Sequence, residues 1–136
     1  TPYQFFEEVK EMIKKQIGNY GEMAVCKYLE MHGYTIVKRN YCIRGGEIDI
    51  IATNDEIIAF VEVKTRKKGS MVSGLEAVND RKKSLIIKTA TDYCSKNPMD
   101  LQLRFDVAEV IVENNRVEKI NYISNAFDAT GYDIFF

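Results

Sequence analysis

The stretch from Gly46 to Arg66, GEIDIIATNDEIIAFVEVKTR, constrains the fold more than any other part of the chain. Two runs rich in β-branched residues flank a polar break at Asn54-Asp55, which reads as a β-hairpin whose second strand is apolar enough to lie centrally in a sheet. Four ionisable side chains sit where a buried sheet would not choose them. Side chains alternate faces along a strand, so Glu47, Asp49 and Ile51 are expected on one face of the first strand, and Ile58, Phe60, Glu62 and Lys64 on one face of the second. Pairing centred on Asn54-Asp55 sets Asp49 opposite Phe60 and diagonal to Glu62, whereas a four-residue loop makes Asp49 and Glu62 direct partners. Either register brings the two carboxylates to within roughly 5 to 8 Å. A divalent ion between them turns repulsion into attraction, and Lys64, about 7 Å along the strand from Glu62, stands beside it.

Upstream, residues 1–16 read as an amphipathic helix, with Pro2 in the first turn and Phe5, Phe6, Val9, Met12 and Ile13 as an apolar stripe. Gly18 is expected to break it ahead of a second helix from Asn19 to Met31, closed by Gly33. Glu22, Val25, Cys26 and Leu29 follow i, i+3, i+4, i+7 spacing, so Glu22 falls on the apolar face. It is either a first-turn carboxylate favoured by the helix dipole or a group aimed at the sheet. His32 reads as a C-terminal cap or a surface residue, and Tyr34 to Ile43 as a strand.

Downstream, Lys67 to Gly74 reads as a flexible basic loop that orders on a ligand, and Asn79 or Asp80 caps a helix to about Ser95. Leu101 to Val112 and Val117 to Ile123 are strands joined by an Asn114-Asn115 turn. Asp106 reads as a structural carboxylate paired with Arg104 or a lysine. The tail from Asn125, with Phe127, Tyr132, Phe135 and Phe136, is too aromatic for a solvated end and is expected to pack on the domain or on a second subunit.

With 136 residues, 46% hydrophobic and 29% charged, the chain supports one real core and excludes disorder. Residues 18–136 read as a single domain and residues 1–17 as a helical extension. No apolar run approaches the ~20 residues of a membrane span, and the first helix is too charged for a signal peptide. Cys26, Cys42 and Cys94 are odd in number and lack a C-x-x-C, which argues against disulfides and zinc, and for buried thiols and a cytoplasmic location. A net charge of -1 offers nucleic acid no global attraction. The charge is uneven, however: Lys64 to Lys88 holds eight basic and two acidic residues, leaving -7 for the remainder. Arg66, Lys67, Lys68, Arg81, Lys82 and Lys83 are therefore candidate phosphate contacts, with a plain solvated face as the simpler alternative. The last three oppose the dipole at a helix N-terminus, which a nearby anion would relieve.

Asp49, twelve intervening residues and Glu62-Val63-Lys64 resemble the PD-(D/E)xK nuclease motif. Gly18, Gly21-Glu22, Gly33-Tyr34, Arg39-Asn40, Gly46 to Asp49, Phe60 to Arg66, Lys82, Arg104 to Val107 and Ala126-Phe127 sharpen the likeness. Together they resemble the YraN-like family of predicted endonucleases, itself distantly similar to archaeal Holliday-junction resolvases, over residues 18–127. The resemblance implies an α/β, restriction-endonuclease-like core with a mixed five-stranded sheet flanked by helices. It implies a metal-dependent deoxyribonuclease acting on DNA, branched or junction DNA included. Asp49, Glu62 and the Val63 carbonyl would hold Mg²⁺ or Mn²⁺, with Glu22 as a further carboxylate and Glu47 as a substitute for it; Lys64 would orient or deprotonate the attacking water. The similar resolvases act as pairs, which makes a homodimer one option. Two rivals stay open: a nucleic-acid-binding module that cuts nothing, and a toxin nuclease domain released from a larger protein, which would account for Thr1 and the added first helix.

Overall fold

In the computed structural model, which describes residues 1–70 and 78–130, the chain runs α1 (Pro2–Met31), β1 (Thr35–Ile43), β2 (Gly46–Thr53), β3 (Ile57–Lys67), α2 (Asp80–Lys96), β4 (Gln102–Glu113) and β5 (Arg116–Phe127). The strands form one five-stranded sheet in the order β1-β2-β3-β4-β5, antiparallel throughout except for the parallel β3–β4 pair that α2 bridges. This is the mixed α/β architecture that the sequence implies. Helix α1 covers one face, where Val25, Cys26 and Leu29 pack on Ile50, Ala59, Val61 and Val110. Helix α2 covers the other, where Ile86, Ile87, Ala90 and Tyr93 pack on Ile48, Ile58, Phe60 and Phe105. Among the described residues no helix is long and apolar enough to cross a membrane.

The β2–β3 hairpin takes the longer of the two expected turns. Thr53 pairs with Ile58, and Asn54 Oδ1 accepts from the backbone N–H groups of Glu56 and Ile57 at 2.9 and 2.7 Å, so the asparagine organises a four-residue loop. Continued along the strands, that register sets Asp49 opposite Glu62, but the ladder stops one pair short, at Ile50↔Val61. Strict alternation also fails there. Ile48 belongs to the α2 face and Ile50 to the α1 face, although two residues apart they should share one. On β1 the position facing Asp49 is Asn40, whose φ of 53° is left-handed, and a bulge falls between Ile36 and Lys38. Glu47 therefore does not share a regular face with Asp49 and Ile51 as strict alternation predicts.

Helix α1 does not break at Gly18. A mid-helix glycine weakens a helix by about 1 kcal/mol against alanine but removes no hydrogen bond, and the helix runs on to His32, whose backbone N–H and ring Nδ1 both meet the Tyr28 carbonyl. Gly21 answers to packing instead: a Cβ there would stand 2.8 Å from Thr65 Oγ1 on β3. Gly46 is similar, since a Cβ would collide with the Thr89 hydroxyl of α2. Of the three cysteines, all free, Cys26 is buried and Cys94 half-buried, while Cys42 is exposed on the edge strand rather than buried as expected. The second half of the basic loop, residues 71–74, and Tyr132, Phe135 and Phe136 of the aromatic tail lie outside the described residues. Phe127 packs on the α2-side core, stacked on Phe105.

Candidate active site

Where β2 and β3 part, Asp49 turns toward the gap and its Oδ2 accepts the backbone N–H of Val63 at 2.8 Å. That amide is free for it because the Ile50↔Val61 pair is the last of the ladder. Glu62 is only 5% exposed, and its Oε1 meets two ammonium groups, Lys64 Nζ at 3.2 Å and Lys82 Nζ at 3.3 Å. Lys64 is two residues along the same strand, while Lys82 reaches over from the first turn of α2, where the Asn79 side chain caps the helix through the Lys82 N–H. Of the three cations at the start of α2, Lys82 thus meets an anion within the fold, Glu62.

The two carboxylates are balanced differently. Burial, then the neighbouring Glu62 charge, push the Asp49 carboxyl up to about 7, against the pull of the Val63 N–H; Glu22 and Glu47 add to the rise. Glu22 projects from α1 toward the sheet. Its Oε1 is buried without a hydrogen bond, and its nearest cation, Arg39 Nη2 on β1, is 3.7 Å away. Burial raises the Glu22 carboxyl, Arg39 partly offsets this, and Glu47 and Glu62 raise it further. Glu47 is exposed at the rim of a cleft of about 360 Å³ that Gly46, Lys82 and Leu85 also line. Among the described residues, no three His, Cys, Asp or Glu side chains are gathered closely enough to hold a metal ion as they stand.

The structure thus brings Glu22, Glu47, Asp49, Glu62, Lys64 and Lys82 into one electrostatic neighbourhood. The remaining basic residues disperse. Lys67 and Lys68 are exposed and Arg66 half-buried, around a groove of about 660 Å³ between α1 and the ends of β3 and β4. Lys68 is tied to Glu113 at 3.3 Å and Glu118 at 3.1 Å. Arg81 is exposed, and Lys83 lies 5.8 Å from the Phe127 ring centre. Asp106 is structural, as read. Wholly buried on the α1 face, it accepts from Arg104 Nε and Nη2, the Tyr122 hydroxyl and the Asn125 N–H, while Arg104 also donates to the Tyr34 hydroxyl. The reading by residues missed Arg39 as the partner of Glu22. Its only signal was a cation in a strand beside an asparagine, a residue type that strands disfavour.

The sequence pattern of the uncharacterised protein family UPF0102 matches residues 21–110. A UPF0102 protein of Alkaliphilus metalliredigens is 45% identical over 116 residues, which is 85% of this chain and all of that protein. One from Clostridium acetobutylicum is 45% identical over 117 residues, 85% of this chain and 96% of its own length. A third, from Caldanaerobacter subterraneus, is 41% identical over 122 residues, covering 88% and 100%.

Proposed function

The chain belongs to the uncharacterised protein family UPF0102, the YraN-like family, and from the geometry of its carboxylate and lysine cluster we propose that it is a metal-dependent endonuclease hydrolysing phosphodiester bonds in DNA. The observation that carries this reading is the opening of the β2–β3 ladder at Asp49 and Glu62, which aims two carboxylates at one gap with Lys64 beside them. A purely structural pair would have no need of that opening, and like charges in register across a sheet are destabilising.

The donor set suits a hard divalent cation. Asp49, Glu62 and the Val63 carbonyl offer oxygens only, and two carboxylates with one carbonyl leave room for the several waters that Mg²⁺ keeps. The Glu22 oxygen without a hydrogen bond and the raised Asp49 carboxyl are both groups that a nearby cation would satisfy. Bound there, the ion would activate water and polarise the phosphoryl oxygens. Asp49 has to shed its proton before ligating, so affinity should climb through pH ~7. Lys64 would orient the attacking water and offset charge developing on the phosphate. Lys82, held beside it by Glu62, would take the neighbouring phosphate once the ion satisfies Glu62. Glu22 would steady the site from the α1 side, through Arg39 or directly.

The test is cleavage of linear duplex, single-stranded, flapped and four-way DNA with Mg²⁺ or Mn²⁺, by the wild type and by Asp49→Ala, Glu62→Ala and Lys64→Ala. The expected result is metal-dependent cutting that each substitution abolishes. Equal cutting by the wild type and all three variants would put the chemistry outside this cluster, and no cutting of any substrate while DNA is still bound would leave a binding module in place of a nuclease.

A further inference from the structure

Among the described residues, the apolar stripe of α1 has no partner. Phe5 is 63% exposed, Phe6 61%, Met12 61% and Tyr20 62%, while Ile13 and Met23 are about half exposed. Helix geometry explains why the sheet cannot cover them. At about 100° per residue, Phe5, Phe6, Val9, Met12, Ile13, Tyr20 and Met23 fall in one band, and that band is roughly opposite Gly21, Val25 and Leu29, the residues that meet the sheet. The stripe therefore runs down the outside of α1, over its packed half as well as its projecting half. Seven apolar side chains in one band, six of them exposed, exceed the scattered exposure normal for a monomer surface.

The charges around the stripe say what fits it. Of the charges in the first half of the helix, Glu8 and Lys15 lie on one flank of the stripe and Lys10 on the other, while Glu7, Glu11 and Lys14 lie opposite it, with Glu7 and Glu11 paired to Lys10 and Lys14 within the helix at 3.4 Å each; acidic residues dominate toward its start and basic ones toward its middle. Their sum is zero, which gives no attraction to an anionic membrane, whose surface helices carry a basic polar face. A second α1 laid antiparallel brings acid-rich against base-rich. Centring the pair near Lys10 and Glu11 sets Val9 against Ile13 and Phe5 against Ile17. It also sets Glu8 near Lys15 on the same flank of the seam. A parallel pair would instead oppose like charges along its whole length. The occupant with matching shape and charge is thus another copy of this chain.

We propose that the outer face of α1 is a self-association surface, on which two copies pair as antiparallel helices about a two-fold axis. It is built on residues outside the Asp49 and Glu62 cluster and stands whether or not that cluster cuts DNA. The test is sedimentation equilibrium of the whole chain over a wide concentration range at low salt. The wild type should move from 15.7 kDa toward twice that mass as concentration rises. Ile13→Glu, at an exposed position, should remain monomeric with an unchanged melting curve. Glu8→Lys and Lys15→Glu should each weaken self-association, and an equimolar mixture of the two variants should restore it. A wild type that stays monomeric throughout would overturn the proposal, as would a dimer that Ile13→Glu leaves intact. Binding of the wild type to anionic lipid vesicles without dimerisation would assign the stripe to membranes instead.

Discussion

Asp49→Asn tests the electrostatics of the site without any assumption about substrate. The asparagine keeps the volume of the side chain and an oxygen to accept the Val63 N–H, and deletes the charge. An ordinary aspartate titrates near 3.8, and burial beside Glu62 pushes this one up to about 7. The folded protein therefore holds a proton that the unfolded chain has released, and wild-type stability falls as pH rises between those values, by up to about 1.4 kcal/mol per pH unit. The contribution is whole below about pH 4 and gone above about pH 7, an upper bound of about 4 kcal/mol, of which relaxation around the pair should leave about 2 to 4. Asp49→Asn escapes this loss. Urea unfolding at stepped pH in the presence of a chelator should give matching stabilities near pH 4 and a variant more stable by that margin near pH 8. Parallel curves across the range would mean that Asp49 is not a carboxylate held against its own charge.

Gly21→Ala places a methyl 2.8 Å from Thr65 Oγ1, and the overpacking should destabilise by about 1 to 3 kcal/mol; Thr65→Ala in the same chain should restore most of it in thermal melts. Asp106→Ala strands Arg104 in the buried network, and a loss of about 3 to 5 kcal/mol is expected in denaturant titration, with a smaller loss if Arg104→Ala accompanies it. If Lys82 and Lys83 contact phosphate, replacing both by alanine should flatten the dependence of log duplex affinity on log salt by about 1.8, and an unchanged slope in fluorescence anisotropy would remove them from the DNA surface.

The hairpin and the sheet around it were legible because β-branched runs and asparagine turns act locally: Asn54 decides its own loop, and the left-handed Asn114 and Asn115 make theirs. The register needed the turn geometry, since one polar dipeptide is compatible with two loops and only the Asn54 side-chain bonds select the longer one. Gly18 misled because glycine's weak helix propensity was weighed without the contacts that hold α1 down at Val25 and Leu29. Asp49, Glu62 and Lys64 could be read from spacing within one hairpin, whereas the Lys82 to Glu62 and Arg39 to Glu22 pairs join residues 20 and 17 positions apart on different elements. No periodicity encodes such pairs. The left-handed Asn40 that accompanies the turn of Asp49 was likewise invisible, because one asparagine in a strand does not announce its backbone angle.

The strand order divides the sheet into two parts of different sequence range. β1, β2 and β3 follow one another through short turns, as do β4 and β5; only the parallel β3–β4 pairing joins strands separated by some 34 residues, 68–101, and by α2. Contacts close in sequence form fastest, and closing the longer loop carries the larger entropy. Residues 35–67 and 102–127 thus make two locally wound units, and the β3–β4 pairing under α2 is the one strand contact that closes a long loop. Asp49 and Glu62 both lie within the first unit. Lys82 reaches Glu62 only across that crossover, whereas Asp49, Glu62 and Lys64 belong to one hairpin, so the Lys82 to Glu62 pair depends on the long-range closure and the Lys64 to Glu62 pair does not.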